Sequence, residues 1–315
     1  MLRHFKAEAF ACSGKEHTMI KAFITLVLFV GATFGALAQT QYDSVEIKTQ
    51  ALRGNLYVLF GAGGNIGVSA GENGVFIIDD QYAPLSEKIS TAIAAISDKP
   101  VRFIVNTHYH FDHTGGNENF GKKDSIIVAH DNVRLRMSKG AFIKAFNHRM
   151  APQPAVALPV VTFNDEMSLH LNGEEARIIH RENAHTDGDS IIHFKNSNIF
   201  HMGDTFFNES YPFIDVGNGG SIGGLIEAAQ FILALSDAET IVIPGHGPVT
   251  DKAGLEEYLA MLSGSRTIIQ ALKKSGNSLE EIQAAKPLSQ YAEKWERGRS
   301  EWMEQYIGFV YNSID

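Results

Sequence analysis

The first half of the chain alternates between short apolar runs and turns rich in glycine and asparagine. Apolar runs at residues 56–60, 65–70 and 75–79 are separated by Gly61-Ala62-Gly63-Gly64 and by Glu72-Asn73-Gly74. Runs of this length bounded by turn residues predict β-strands, and the short turns between them predict antiparallel pairing. Because the four-residue glycine turn joins two strands and does not lead into a helix, a turn is favoured over a phosphate-binding loop. We therefore predict an antiparallel meander at the start of the fold.

The apolar pattern continues along the chain, now mixed with helical periodicity. Further strands are predicted at residues 101–106, 125–129, 176–180, 190–194, 198–202 and 240–243. Apolar positions three and four residues apart predict helices at residues 84–96, 131–146 and 221–235, and over most of the chain from residue 251. The proline-rich segment 151–159 predicts an extended loop between two similar halves. Two such halves predict an α/β fold with two sheets packed face to face and helices outside, a four-layer αββα sandwich.

An uncharged apolar stretch near the N-terminus stands apart from this pattern. Residues 22–38 follow Lys21, carry no charge and end in Ala36-Leu37-Ala38. A basic start, a short apolar core and a small-x-small end predict a secretory signal peptide over residues 19–38. The stretch is short for a membrane span, which needs roughly 20 residues. We expect translation to start at Met19, with residues 1–18 an upstream extension and residues 39–315 the folded domain; an uncleaved N-terminal anchor is the alternative.

A leader of this kind predicts export to the periplasm or out of the cell, with no stable membrane span after its removal. Removing residues 1–38 takes away four basic and two acidic side chains, so the formal net charge of −9 becomes −11. A negative charge without a Lys/Arg-rich run argues against nucleic acid as a partner, so we expect a small-molecule substrate; the oligomeric state is left open. The sole cysteine, Cys12, is lost with the leader, which excludes a cysteine nucleophile or metal ligand.

Metal-capable side chains follow several of the predicted strands. Seven of them lie in loops beyond strands: His108, His110, Asp112, His113, His185, Asp204 and His246. Loops of this kind are where α/β folds place functional groups on a rigid frame. An extended chain points His108 and His110 the same way, so they can share one metal, while Asp112 and His113 come after the chain turns and can reach a neighbouring metal. Imidazole and carboxylate ligands at about 2.0–2.2 Å suit Zn²⁺, and also Fe or Mn.

This pattern resembles the metallo-β-lactamase superfamily. The resemblance rests on the motif His-x-His-x-Asp-His, a later His, a later Asp and a final His in a Gly-His-Gly turn, and it covers residues 55 to 249. It implies an αββα hydrolase that holds two zinc ions per chain. By this resemblance the first metal is held by His108, His110 and His185, the second by Asp112, His113 and His246, and both by the bridging Asp204.

The chain departs from the commonest β-lactamases of that family. Those enzymes have a cysteine where this chain has Asp204, and a substrate-binding lysine three residues further on, where it has Phe207. The ligand set is closer to the glyoxalase II, lactonase and broader hydrolase branches, although glyoxalase II proteins are usually cytoplasmic and this chain has the features of export. The segment 221–226 is similar to exported, β-lactamase-like members of unassigned substrate.

The resemblance implies a hydrolase in which a metal-bound hydroxide attacks a substrate carbonyl. Asp112 is the predicted catalytic residue, since it would orient the hydroxide and relay its proton. Because the chain has the features of export, a β-lactam or another cyclic amide or ester is the expected substrate. A glyoxalase II-type thioesterase, an iron-binding oxidoreductase or sulfur dioxygenase of the same fold, and a non-enzymatic binding protein are the alternatives. A nuclease of this fold is disfavoured by the negative charge.

Other polar and aromatic residues receive structural interpretations. We expect His193 and His201 either to pack within their strands or to contact the metal-ligating side chains and hold them in position. Asp79 ends a strand, where it either orients a ligand histidine or caps a turn. Trp302 is expected to pack between helices, as are Trp295 and Tyr306. The loops at residues 61–65, 151–159 and 206–220 are expected to set the choice of substrate.

Overall fold

The computed structural model describes residues 41–296 and 300–314. The chain divides into two compact units, Met1–Val45 and Glu46–Asp315; of the first, the structure describes residues 41–45, which include one helical turn. The predicted extension 1–18 and signal peptide 19–38 lie outside the described residues, so export stays a prediction. Within the described part of the chain, no helix has both the length and the apolar character that crossing a membrane requires.

The strands of the second unit fall into two halves along the chain. The first half contains β1 Lys48–Ala51, β2 Leu56–Phe60, β3 Ile66–Gly71, β4 Gly74–Ile78, β5 Val101–Val105, β6 Ile126–His130, β7 Ala141–Ile143, β8 His148–Met150 and β9 Val161–Phe163. The second half contains β10 Glu166–Leu171, β11 Glu174–His180, β12 Ser190–Phe194, β13 Ile199–His201, β14 Ile241–Ile243 and β15 Thr250–Asp251. They form a seven-stranded sheet in the order β1-β2-β3-β4-β5-β6-β9, a six-stranded sheet from β10 to β15 in sequence order, and the β7–β8 hairpin.

Helices and short 3₁₀ turns connect these strands. The α-helices are α1 Ser86–Ala94, α2 Phe111–Thr114, α3 Asn117–Gly121, α4 Asp131–Lys139, α5 Ile222–Leu235, α6 Lys252–Lys274, α7 Leu279–Ala285, α8 Ala292–Trp295 and α9 Ser300–Ser313. The 3₁₀ turns are Ala83–Leu85, Lys144–Phe146, Ala155–Ala157, Gly203–Thr205, Val216–Asn218 and Ser289–Tyr291. Helix α5 begins where the Ser221 side chain accepts a hydrogen bond from the Gly224 amide, a favourable N-cap that satisfies an otherwise unpaired donor.

Strand directions follow the predicted meander and then change. Strands β2, β3 and β4 pair antiparallel, whereas β4–β5, β5–β6 and β6–β9 pair parallel. In the second sheet β10 to β13 are antiparallel and β13–β14 is parallel. Parallel neighbours end at the same edge of a sheet, so the loops after β4, β5 and β6 gather at one edge, and those after β13 and β14 gather at one edge of the other sheet.

Alternation along the strands explains the four layers. In β12, Ile192 packs into the core between the two sheets with Val58 and Val105, while its neighbour Ile191 belongs to the core that α5, α6 and α9 share with the second sheet. Successive side chains of a strand point to opposite faces, so a strand buried on both faces reads as a continuous apolar run. On the first sheet, α3 and α4 lie against β6. The predicted αββα sandwich is confirmed.

The structure corrects the sequence interpretation at several elements. The helix predicted over residues 131–146 ends at Lys139, because Gly140 takes a φ of +79° and the chain turns into the β7–β8 hairpin. The exposed edge strand β1 and the strands β9 and β10 were not predicted. Strand β1 is a polar segment exposed at every position, so it lacks the apolar run that predicts strands and is held in place by its pairing with β2.

Candidate metal centre

The structure brings all seven predicted site residues together. Their ligand-capable atoms form two groups, each within 4.8 Å: His108, His110, His185 and Asp204 in the first, and Asp112, His113 and His246 in the second. Asp204 lies between the groups. Its Oδ1 is 3.1 Å from Nε2 of His113 and 3.4 Å from Nε2 of His246, and its Oδ2 is 3.5 Å from Nε2 of His185 and 3.7 Å from Nε2 of His108. One carboxylate oxygen therefore faces each group.

Local backbone structure explains how one short segment serves both groups. His108 lies in a bend after β5, and His110, whose backbone is extended, is the N-cap residue that precedes α2. Asp112 and His113 lie in the first turn of that helix. The change from extended chain to helix at His110 therefore redirects the side chains that follow, as the predicted turn after His110 requires.

A glycine permits the close approach of the loop that carries His246. Strand β14 leads into Pro244-Gly245-His246-Gly247, and a Cβ placed on Gly245 would lie 2.1 Å from Oδ1 of Asp204. No side chain fits at that distance, so the close approach of this loop to Asp204 requires glycine at this position.

Asp79 contacts a histidine of the cluster, in agreement with the first of the two interpretations left open for it. The fully buried carboxylate accepts hydrogen bonds from the Thr107 amide and hydroxyl, both at 2.7 Å, and lies 2.7 Å from Nδ1 of His113. A carboxylate on Nδ1 keeps the proton there and leaves Nε2 of His113 free to face Asp204. Asp79 itself has a φ of +63°, a conformation that Asp and Asn tolerate better than most residues.

Asp215 contacts His110 as Asp79 contacts His113, and the sequence did not predict it. Its Oδ2 lies 3.1 Å from Nε2 of His110 and accepts hydrogen bonds from the Tyr109 hydroxyl at 2.5 Å and from the Asn218 amide at 2.8 Å. This leaves Nδ1 of His110 facing Nε2 of His185, at 2.9 Å. The only sequence signal was a lone acid in the apolar segment Phe213-Ile214-Asp215-Val216.

His185 is held by backbone and buried carboxyl groups. Its Nδ1 lies 2.9 Å from the carbonyl oxygen of Phe213, and its amide donates to Asp189 at 2.6 Å. Asp189 also accepts from the amide and hydroxyl of Thr186. Burial nevertheless raises the pKa of Asp189 to about 8. The Nδ1 contact with Phe213 leaves Nε2 of His185 facing the other residues of the first group.

The electrostatics of the first group fit metal binding. Burial lowers the pKa of His185 to about 4 and that of His108 well below its usual value, which keeps both imidazoles neutral. Burial would raise the pKa of Asp204, but the nearby His113 and His246 outweigh it and lower that pKa well below 3.8. Neutral imidazoles and ionised carboxylates are the forms that bind metals. In the second group, burial would lower the pKa of both histidines, but Asp204 and Asp112 raise it, well above the usual value for His113 and to about 9 for His246. A metal ion bound there must therefore displace protons.

An unpaired nitrogen in the cluster also indicates that these residues suit a metal ion. Nε2 of His108 is buried and has no hydrogen-bond partner in the described part of the chain, although it points towards Asp204. A buried polar atom left unpaired costs roughly 1–3 kcal/mol, and a metal ion among these nitrogen and oxygen atoms would satisfy it. The residues present therefore fit a metal centre of one or two ions.

A cavity of about 930 Å³ opens over the centre and is lined in part by His110, Asp112, Asp204 and His246. As predicted, the loops at residues 61–65 and 206–220 contribute to its walls, whereas the loop at residues 151–159 does not. The β7–β8 hairpin provides walls instead, because α4 ends early and the chain folds back beside the site. Trp302 packs as expected, donating its indole N–H to the Tyr211 carbonyl at 2.7 Å, but it also lines the cavity.

The other histidines of the described region lie outside the cluster. Nε2 of His201 is 3.0 Å from the Asn65 carbonyl oxygen, and the ring of His193 stacks on Phe200 with centroids 4.0 Å apart. His130 stacks on His180 with centroids 3.7 Å apart. These contacts agree with packing roles.

Comparison with known proteins now decides the family. The family model described as "Metallo-beta-lactamase superfamily" matches residues 61–246, which is more than half of the chain and includes all seven cluster residues. The chain belongs to the metallo-β-lactamase superfamily. This confirms the resemblance drawn from the motifs.

Solved structures of other superfamily members share the fold of this one. The DIM-1 metallo-beta-lactamase is 18% identical, with a TM-score of 0.57 over 70% of this chain and 100% of its own. A metallo-beta-lactamase from Pontibacter korlensis is 16% identical, with a TM-score of 0.56 over 69% of this chain and 99% of its own. The inverting sec-alkylsulfatase Pisa1 from Pseudomonas sp. is 16% identical, with a TM-score of 0.63 over 84% of this chain and 50% of its own. At these identities the likeness shows the fold alone.

Among curated proteins, a similar sequence is the 2,4-dinitroanisole O-demethylase subunit alpha of Nocardioides sp. (strain JS1661). It is 26% identical over 168 residues, which cover 51% of this chain and 47% of that protein. The chain thus spans about half the length of this relative. The superfamily to which the chain belongs includes hydrolases such as β-lactamases and a sulfatase, so a metal-dependent hydrolase agrees with both fold and site.

Proposed function

We propose that this superfamily member is an exported, dinuclear zinc-dependent hydrolase of a small organic substrate. One observation carries the proposal: the two carboxylate oxygens of Asp204 face two separate groups of metal-capable atoms. A carboxylate in this position can bind both ions of a pair, which a single-metal site would not need. Export remains a proposal from the N-terminal sequence pattern.

Each group offers a ligand set that suits zinc. The first ion would be held by His108, His110 and His185, the second by Asp112, His113 and His246, and both by Asp204. All donors are imidazole nitrogens or carboxylate oxygens, which zinc accepts readily, and iron or manganese accept the same set. When bound, zinc lowers the pKa of water to about 7 and polarises a carbonyl oxygen.

We assign Asp112 the catalytic role among these residues. Its Oδ2 lies 3.3 Å from Nε2 of His246, it lines the cavity, and its side chain is 19% exposed, against 5% for Asp204. Burial would raise its pKa, but the neighbouring His113 and His246 lower it to about 2. The carboxylate is therefore ionised at neutral pH and can accept a hydrogen bond from the attacking water, which orients that water towards a substrate in the cavity.

The cavity fits a small organic molecule. Its volume of about 930 Å³ falls within the roughly 300–1,000 Å³ of ligand pockets. A β-lactam or another cyclic amide or ester is the proposed substrate, and a glyoxalase II-type thioester is the alternative within hydrolysis. The name of the Nocardioides relative supports a further candidate, cleavage of an uncharged aromatic ether.

Metal quantitation beside a hydrolysis panel tests this proposal. The protein is purified without added metal, its zinc, iron and manganese are measured, and chromogenic lactam, lactone, ester and thioester substrates are offered to the zinc-loaded form. We expect two zinc ions per chain and turnover of at least one substrate class. Iron with a visible absorption band would support the oxidoreductase alternative, and no turnover of any class would support a binding protein.

A further inference from the structure

We propose that the cavity selects uncharged aromatic substrates, held by a set of aromatic side chains and not by a cationic side chain. The inference rests on the proposed hydrolase function and narrows its substrate class.

The aromatic surface begins at the metal-capable residues themselves. The ring of Phe207 stacks on that of His246, with centroids 5.1 Å apart and planes at 17°. The ring of Phe213 lies 5.6 Å from that of His110 and 5.4 Å from that of His185. Both phenylalanines line the cavity. A substrate whose reacting bond reached the centre would therefore have its adjoining group in contact with aromatic rings.

Further rings extend this surface away from the centre. Phe146 lies 4.8 Å from Phe213, and both line the cavity together with Trp302. Another pair of lining rings, Tyr82 and Phe111, lies 5.7 Å apart beside Asp112. Offset and edge-on ring contacts at these separations are favourable beyond simple burial of apolar area, so an aromatic substrate gains more from this cavity than an aliphatic one of equal size.

The charged side chains that line the cavity also favour an uncharged substrate. Among the described residues that line the cavity there is no lysine or arginine, and its acidic side chains are Asp112 and Asp204, both assigned to metal. Phe207 stands at the position where, by the family resemblance, β-lactamases bind the substrate carboxylate with lysine. A substrate anion placed among the outer rings, away from the metal-capable residues, would lose its hydration without a cationic side chain beside it, which costs on the order of 10- to 100-fold in binding.

Phe146 is the residue best placed to test the idea. It is 47% exposed and lies in the 3₁₀ turn Lys144–Phe146 between β7 and β8, so its replacement leaves the buried core intact. Phe142 offers a matched control, since it is a phenylalanine of the same hairpin, is 41% exposed and does not line the cavity.

The experiment compares phenyl acetate with 4-carboxyphenyl acetate on the zinc-loaded full chain. We expect kcat/KM to be at least 10-fold higher for phenyl acetate. Phe146→Ala should raise KM for phenyl acetate several-fold with little change in kcat, and Phe146→Lys should raise kcat/KM for 4-carboxyphenyl acetate relative to phenyl acetate. Phe142→Ala should leave all these values unchanged. Equal kcat/KM for the two esters in the natural protein, together with no effect of either Phe146 variant, would overturn the proposal.

A binding measurement separates this inference from the proposed function. Calorimetry of the zinc-loaded protein with acetanilide and with 4-acetamidobenzoate uses amide analogues of the two esters and requires no turnover. Tighter binding of acetanilide by at least 10-fold, without hydrolysis of any substrate, would support the selectivity and contradict the hydrolase. Hydrolysis with equal binding of both amides, or with no binding of either, would contradict the selectivity and leave the hydrolase standing.

Discussion

Replacing Asp79 by asparagine should damage the second metal group without removing any of its ligands. The carboxylate accepts three hydrogen bonds, from two groups of Thr107 and from Nδ1 of His113, each at 2.7 Å. Asparagine keeps the shape and tolerates the φ of +63°. With its oxygen on the Thr107 amide, however, its NH₂ group faces Nδ1 of His113. Donation to that nitrogen moves the ring proton to Nε2, the atom that lies 3.1 Å from Asp204.

The size of the effect can be worked out from the hydrogen bonds that Asp79→Asn removes. A hydrogen bond to a charged group contributes about 1.5–3 kcal/mol, and a buried donor left unpaired costs about 1–3 kcal/mol. Asp79 is completely buried, so both terms apply, and we expect the free energy of unfolding to fall by about 3–5 kcal/mol. Loss of the orienting carboxylate should weaken metal binding at this group by about 10- to 100-fold.

Zinc affinity is measured by competition with a chromogenic chelator, and stability by urea unfolding with and without zinc. The matched control is Asp80→Asn, one residue along. Burial raises the pKa of Asp80 well above its usual value, which favours the neutral form, and its Oδ1 accepts a hydrogen bond from the Gly116 amide that an asparagine oxygen can also accept. Asp80→Asn should leave zinc affinity unchanged. If Asp79→Asn bound zinc as tightly as the unsubstituted protein, or if both variants lost zinc affinity equally, the orienting role of Asp79 would be refuted.

Three further predictions follow from the site and the fold. Asp112→Asn should keep the fold but lower kcat by about 10²–10³-fold; near-natural kcat at full zinc occupancy would remove Asp112 from catalysis. Burial would lower the pKa of His246, but Asp204 and Asp112 raise it to about 9. Without zinc, the ion pairs of His246 therefore stabilise the fold fully below pH 6.5, and this stabilisation is lost as the pH rises through about 9. Zinc must displace this proton, so zinc affinity should rise from pH 6.5 to about 9 and then level off; a flat profile in chelator competition would contradict this. Ser278→Ala removes the capping box of α7 and should lower the free energy of unfolding by about 1 kcal/mol, with kcat unchanged.

The sequence was informative where local pattern and chemistry coincide. Apolar runs predicted strands such as β4, which is buried at every position, because a strand covered on both faces reads as a continuous apolar run. The seven candidate site residues could be predicted because metal-capable side chains follow the ends of predicted strands, and the structure places all seven together.

The remaining features depend on tertiary contacts that a single sequence does not display. Strand β1 is polar and exists through its pairing with β2, and the early end of α4 depends on one positive φ at Gly140. Asp215 reaches His110 across 105 positions of the chain, so no local spacing marks it. Trp302 lines the cavity because α9 folds back over the site, which helical periodicity alone could not indicate.

Zinc content per chain tests the central claim most directly. Elemental analysis of the zinc-loaded, dialysed protein and of its Asp204→Ala variant would count the ions that the two groups retain. The account predicts two zinc ions per chain in the natural protein and loss of at least one in the variant, because Asp204 faces both groups. A single ion in the natural protein, or two ions in both proteins, would contradict a dinuclear centre joined by Asp204.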